Sequence, residues 1–138
     1  MYEILARLKA VNVLNPRAKE RCVEHMLAGL ANVNIEYLRA FPQTPALYQS
    51  GVRYRDDAEK RYDEWRDIPT VIECGWGDCD DLVPWRLAEL WMAGVFARPM
   101  VTITHYEKGF FGSTTLFHAL IKRGSYETED PSRKLGMR

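Results

Sequence analysis

Residues Cys74–Gly94, CGWGDCDDLVPWRLAELWMAG, decide how the rest of the chain is read. A glycine-rich turn, Gly75-Trp76-Gly77, delivers Asp78 and Cys79 to an apolar-periodic run. Val83, Leu87, Leu90 and Trp91 recur at spacings of three and four, which places them on one face of a helix. Gly94 stands where the glycine just past a helix end is expected. Pro84 is tolerated only near a first turn, so the helix is expected to begin close to Cys79. Unpaired N–H groups and the positive end of the helix dipole favour a thiolate there. Cys79 is therefore a candidate nucleophile.

The chain around this helix has 138 residues, the length of one domain, 1–138. A chain of this size buries roughly two thirds of its unfolded surface and needs no disulfide or metal staple. Its formal net charge is zero, so no excess of Lys and Arg is present to neutralise phosphates, and a nucleic-acid partner is not expected. Three cysteines, Cys22, Cys74 and Cys79, are too few for a disulfide framework and fit a reducing compartment. Glu3, Arg7, Lys9 and Asn12 interrupt any apolar leader, and no run approaches a membrane span. A cytoplasmic location follows as the expectation.

Upstream, residues 1–14 admit two readings: Ile4, Leu5 and Leu8 suit a helix, and Val11-Asn12-Val13 suits a strand or extended arm. Asn15-Pro16 reads as an N-cap followed by a first-turn proline. Cys22, Met26, Leu27, Leu30 and Ala31 then trace an apolar stripe, predicting a helix to about Leu30 that resumes over Ile35–Ala40 beyond Asn32 and Asn34. Residues 41–70 carry Pro42, Pro45, Gly51 and Pro69 and read as a long ordered loop with one helical turn around Ala58–Trp65. Tyr48, Tyr54, Tyr62 and Trp65 are too many aromatics for a disordered linker; they lid the core or touch a ligand.

Downstream, Pro99–Tyr106 alternates and is β-branched, Gly109 and Gly112 mark a turn, and Thr114–Lys122 is a second strand. A tight turn at Arg123-Gly124-Ser125 leads to a short strand, Tyr126–Glu129, ended by Asp130-Pro131. Helices first and antiparallel strands second make an α+β pattern, with N-terminal helices and a central Cys-bearing helix packed on a small antiparallel sheet.

A cysteine nucleophile needs a base and a group that orients the base. Downstream of Cys79 stand His105, beside the hairpin tip and expected to be exposed, and His118, in mid-strand. A hairpin centred near Gly124 puts His118 across from Asp130. The expected set is Cys79 as nucleophile, His118 as base and Asp130 as orienter. Asp78, Asp80 and Asp81 oppose the thiolate electrostatically. The oxyanion donors to look for are the Cys79 N–H and the Trp76 indole.

The segments GDCDDLVPWRLAELWMAG, FHALI and EDPS resemble the transglutaminase-like branch of the papain-like cysteine hydrolases. More narrowly, Leu47–Tyr54 (LYQSGVRY), Gly75–Leu90 and Asp130–Met137 resemble small phage and prophage proteins with LY-x-SGVRY, G-x-GDC-[DE]-DL-x-x-WR-x-AEL and DPS-x-x-LGM segments. The resemblance covers roughly the last two thirds of the chain. It implies a papain/transglutaminase-like fold and thioester chemistry on a peptide or protein, carried by Cys79, His118 and Asp130. It equally implies a virion or assembly component, of the tail or head-tail type, that acts by docking to phage structural proteins in the host cytoplasm or the virion. The chain stops eight residues after Asp130, so the sheet is small and a neighbouring copy is a candidate to complete it.

Cys74 and Cys79 with His105 or His118 make a poor zinc set, because no second ligand pair has matching spacing. Cys74 is read as a small buried residue. Acids at a helix N-terminus are favoured by the dipole alone. No metal and no cofactor are expected.

Overall fold

A computed structural model describes residues 16–57, 63–107 and 113–138. The expected N-terminal arm and the turn at Gly109 and Gly112 fall outside these residues. Of the helical turn expected near Ala58–Trp65, residues 58–62 also lie outside, and Asp63–Trp65 is not helical.

Helix α1 (Pro16–Ala40) runs unbroken through Asn32 and Asn34. Asn32 returns its side-chain amide to the Ala28 carbonyl at 3.0 Å, four residues back. Asn34 is buried, and its Oδ1 accepts the Ile68 N–H at 3.0 Å. A tertiary hydrogen bond thus offsets the low helix propensity of asparagine. The buried stripe runs through Leu27 and Ala31, with Val23 partly buried against the same cluster, whereas Met26, expected on it, is 41% exposed.

The long loop holds more structure than its composition suggests. A 3₁₀ turn (Leu47–Gln49) precedes the two-residue strand β1 (Arg53–Tyr54), and helix α2 (Ile68–Cys74) occupies the loop's end. Asp67 caps α2, its Oδ1 accepting the Thr70 N–H at 3.2 Å, with Pro69 in the first turn. Gly75 closes α2 at φ 75° and so leads into β2 (Trp76–Gly77), which pairs in parallel with β1.

Helix α3 (Cys79–Met92) follows at once. Pro84 is its sixth residue, beyond the first turn where it was expected, so the Asp80 carbonyl loses its usual helical donor. At the other end Gly94 (φ 73°) donates to Trp91 O at 3.0 Å and Val95 to Leu90 O at 2.9 Å, the paired bonds of a Schellman motif.

Strands β3 (Ala97–Glu107), β4 (Ser113–Arg123) and β5 (Glu127–Glu129) form an antiparallel sheet in that order. Helix α4 (Pro131–Lys134) ends the secondary structure. The architecture is thus mixed helix and sheet, with a small antiparallel sheet. Val101, Ala119 and Ile121 point into the core; Thr102 is exposed and His118 half-exposed on the other face.

Two apolar clusters make the core, and α3 belongs to both. Val83, Leu87 and Leu90 join Leu27, Ala31 and the sheet residues; Leu82 and Trp85 join Leu47, Val52, Ile68 and Val71. The expected stripe of Val83, Leu87 and Leu90 is therefore only one buried flank. Trp91, also expected there, is half-exposed and donates its indole N–H to Ala97 O at 2.8 Å. No helix among the described residues is long and apolar enough to cross a membrane.

Candidate active site

Cys79 is the first residue of α3, behind an extended Asp78. The approach to it needs Gly77: a Cβ there would lie 3.0 Å from Asp81 Cβ and 3.2 Å from its Oδ2. Asp81 is fully buried and ties this corner together. Its Oδ1 accepts the Arg66 N–H at 2.6 Å, and its Oδ2 accepts the Asp78 N–H at 3.2 Å and Arg66 Nη1 at 3.0 Å. The same guanidinium donates to Asp57 Oδ2 at 2.7 Å and lies 4.3 Å above the Trp76 ring. Arg55 also stacks on Trp76, at 4.8 Å. The ring expected to offer an oxyanion donor is thus a platform between cations.

His118 and Asp130 meet, Nε2 to Oδ2, at 3.0 Å. The strand register differs from the expected one. Ile121 pairs with Glu129 and Arg123 with Glu127, so the hairpin is centred one residue later than Gly124. Asp130 lies just past β5, diagonal to His118, and caps α4 through the Arg133 N–H at 3.1 Å. Moving the centre by one residue shifts each pairing by two, and a two-residue slip keeps every side chain on its face. The contact survives for that reason.

The residue before Asp130 anchors it. Glu129 is 3% exposed, accepts Arg86 Nε at 2.7 Å and the Tyr48 hydroxyl, and faces Arg123 and Lys134. Burial alone would raise the Glu129 carboxyl, but the Tyr48 and Arg86 hydrogen bonds outweigh it and hold it below its ordinary value.

The thiol itself is half-buried against the sheet-side cluster. Burial pushes Cys79 up to about 12, with the Asp78, Asp63 and Asp81 charges adding to the effect and a hydrogen bond from the Ala119 backbone opposing it. The helix end therefore does not yield a resting thiolate, because desolvation and three carboxylates outweigh it. Tyr54 is pushed up to about 12 by burial and then by the charges of Asp56, Cys79, Asp78 and Asp130, so Cys79 and Asp130 both lie near this phenol.

Of the three expected residues, then, His118 and Asp130 are bonded, and Cys79 meets the backbone of Ala119, the neighbour of His118 in β4. Among the described residues no hydrogen bond joins Cys79 to His118. Cys74, expected to be buried, is exposed, because it ends α2 on its outer side. His105 pairs with Thr115 in the hairpin, and its side chain lies outside what is described. Two residues that sequence reasoning did not single out join the site: Tyr54, legible only as one aromatic of a loop, and Asp63, whose carboxylate comes within 4.8 Å of those of Asp78 and Asp80. No spacing rule connects Asp63 to a helix that begins 16 residues on. Comparison of the chain with protein-family models, with curated proteins and with solved structures returned no match.

Proposed function

We propose that the protein is a cysteine hydrolase or amidase of papain/transglutaminase-like architecture. The observation that carries this reading is the 3.0 Å His118–Asp130 pair, one residue along β4 from the backbone that meets the Cys79 thiol. Asp130 on Nε2 leaves Nδ1 as the nitrogen free to take a proton. With the thiol protonated at rest, the reaction runs by general base catalysis. His118 swings to Cys79 and takes the Sγ proton as sulfur bonds to an amide carbonyl carbon. The imidazolium then gives that proton to the leaving amine as the C–N bond breaks. Water, deprotonated by His118, hydrolyses the thioester and releases the acid and the free thiol. The Cys79 N–H and the protonated Tyr54 phenol are the candidate donors to the tetrahedral oxyanion. The substrate class is a peptide or protein amide.

A second reading has its own observation. Phe96 and Tyr126 are 79% and 99% exposed, and the Gly124 N–H bonds to Phe96 O at 3.3 Å, which brings their two turns together at one end of the sheet. Apolar side chains presented this way suit docking, as in a virion or assembly component in which the site residues are inherited and idle.

Iodoacetamide labelling across pH 6–10 separates the two. At a pKa of about 12 the free thiolate is only about one part in ten thousand at pH 8. Labelling assisted by His118 exceeds that floor, falls at least about tenfold in His118→Ala and less in Asp130→Asn. Equal rates in the wild type and both variants would leave Cys79 an ordinary buried thiol and favour docking.

A further inference from the structure

We propose that Asp63, Asp78 and Asp80 form a binding site for a hard divalent cation, calcium by its geometry, at the corner between the loop before α2 and the start of α3. One carboxylate oxygen from each lies within 4.8 Å of the others. Calcium takes oxygen ligands at 2.3–2.6 Å, so two of its ligands stand at most about 5 Å apart. Magnesium, with ligands at 2.0–2.1 Å, spans at most about 4.2 Å and needs a tighter set.

Acids at a helix start often serve only the helix, and Asp81 does so here. It accepts the Asp78 N–H and both Arg66 groups, so its charge and lone pairs are used. Asp78 and Asp80 differ. They are 8% and 2% exposed, and the Oδ1 atom of each is buried with no hydrogen-bond partner. A buried carboxylate oxygen without a donor costs free energy on the scale of a lost charged hydrogen bond. Asp78 and Asp80 hydrogen-bond carboxyl to carboxyl, which sets two acidic groups side by side at the positive end of the helix and leaves both Oδ1 atoms without a donor.

Compensating cations are also missing among the described residues. Arg66 is committed to Asp57 and Asp81, and no salt bridge to Asp63, Asp78 or Asp80 is found among the described residues. Asp63 is exposed and gives the site a mouth, and its Oδ2 accepts the Trp65 indole N–H at 3.2 Å. The arrangement is two buried, donor-free oxygens at the back and one exposed carboxylate in front, with water as the ligand for the remaining positions. The cation site does not rest on the proposed enzyme activity, but it borders the nucleophile: Asp78 and Asp80 flank Cys79, and the Asp63 and Asp78 charges act on its thiol.

The Trp65 contact supplies the assay. Terbium(III), which takes the same oxygen ligands as calcium, is titrated into the full chain with excitation at the tryptophan band. Saturable green emission displaced by calcium chloride is the expected result. Asp80→Asn and Asp63→Asn each weaken terbium binding by at least about tenfold through the lost ligand charge. Asp63 is exposed, so its variant keeps the fold, which far-ultraviolet circular dichroism checks. Trp65→Phe lowers the emission while calorimetry still detects calcium. Absence of sensitised emission in the wild type, failure of calcium to displace terbium, or unchanged binding in Asp63→Asn would each overturn the assignment.

Discussion

Replacing Arg66 by Met should cost about 3–5 kcal/mol near neutral pH, and the loss should depend on pH in a definite direction. The guanidinium, 7% exposed, is the only side-chain cation found on the fully buried Asp81 among the described residues. Met keeps much of the apolar stem but leaves Asp81 with two backbone N–H groups and no counter-charge, a case in which buried pairs typically lose that much. At an m-value of about 2 kcal/mol/M, the urea midpoint should fall by about 2 M. The sign of the pH effect follows from Asp81. Burial, then the Asp78 charge, lifts its carboxyl above the ordinary range, while the Arg66 backbone N–H and guanidinium pull it down. Between the ordinary and lifted values the folded protein holds a proton that the unfolded chain has lost, so stability from this group falls as pH rises through that window. Removing Arg66 lifts the carboxyl further and carries the window upward. Each further tenfold in proton affinity adds about 1.4 kcal/mol to the deficit at high pH. Urea unfolding at pH 5 and pH 8 is the assay. Equal deficits at the two pH values, or a deficit under about 1 kcal/mol at pH 8, would refute the picture of a buried, charged Asp81 tying down the start of α3.

Other perturbations test the same corner and its support. Gly77→Ala forces a Cβ to 3.0 Å from Asp81 Cβ and 3.3 Å from Leu82 Cδ2, and should cost about 1–3 kcal/mol in urea unfolding; a neutral result would show that β2 can withdraw from α3. Leu90→Ala, at a side chain 3% exposed, should cost about 2–5 kcal/mol by the same assay, and a loss under about 0.5 kcal/mol would place that flank of α3 outside the core. Glu129→Gln weakens the hold of Arg86 and Lys134 beside Asp130, so it should lower the thermal midpoint and slow Cys79 labelling together; a drop in stability with labelling unchanged would detach Glu129 from the site.

The elements legible in the sequence are those whose signals are local. The Val83, Leu87 and Leu90 spacing and Gly94 mark α3, and the β-branched run at Pro99–Tyr106 marks β3. Helix α2 carried the same cap-then-proline signal as Asn15-Pro16, in Asp67 and Pro69, but seven residues were too few for a period to show. The unbroken course of α1 depends on Asn34 meeting Ile68, a contact 34 residues away that no local rule encodes. Within the site, the His118–Asp130 contact was legible because strand periodicity tolerates an even slip. The protonated state of Cys79 was not, because it depends on how deeply the helix end sinks and on Asp63, which arrives from outside the helix.

Helix α3 lends one flank to each apolar cluster. Loosening either cluster strips cover from a helix the other needs, so the two should melt as a single cooperative unit. In native-state hydrogen exchange the amides from Leu82 to Leu90, apart from that position without an N–H at Pro84, should open only with the whole molecule. The short pairing of β1 with β2, held by two residues a side, should open far more readily. Cys79 stands between these regimes: its helix is among the last structure to yield, while the strand leading into it is among the first.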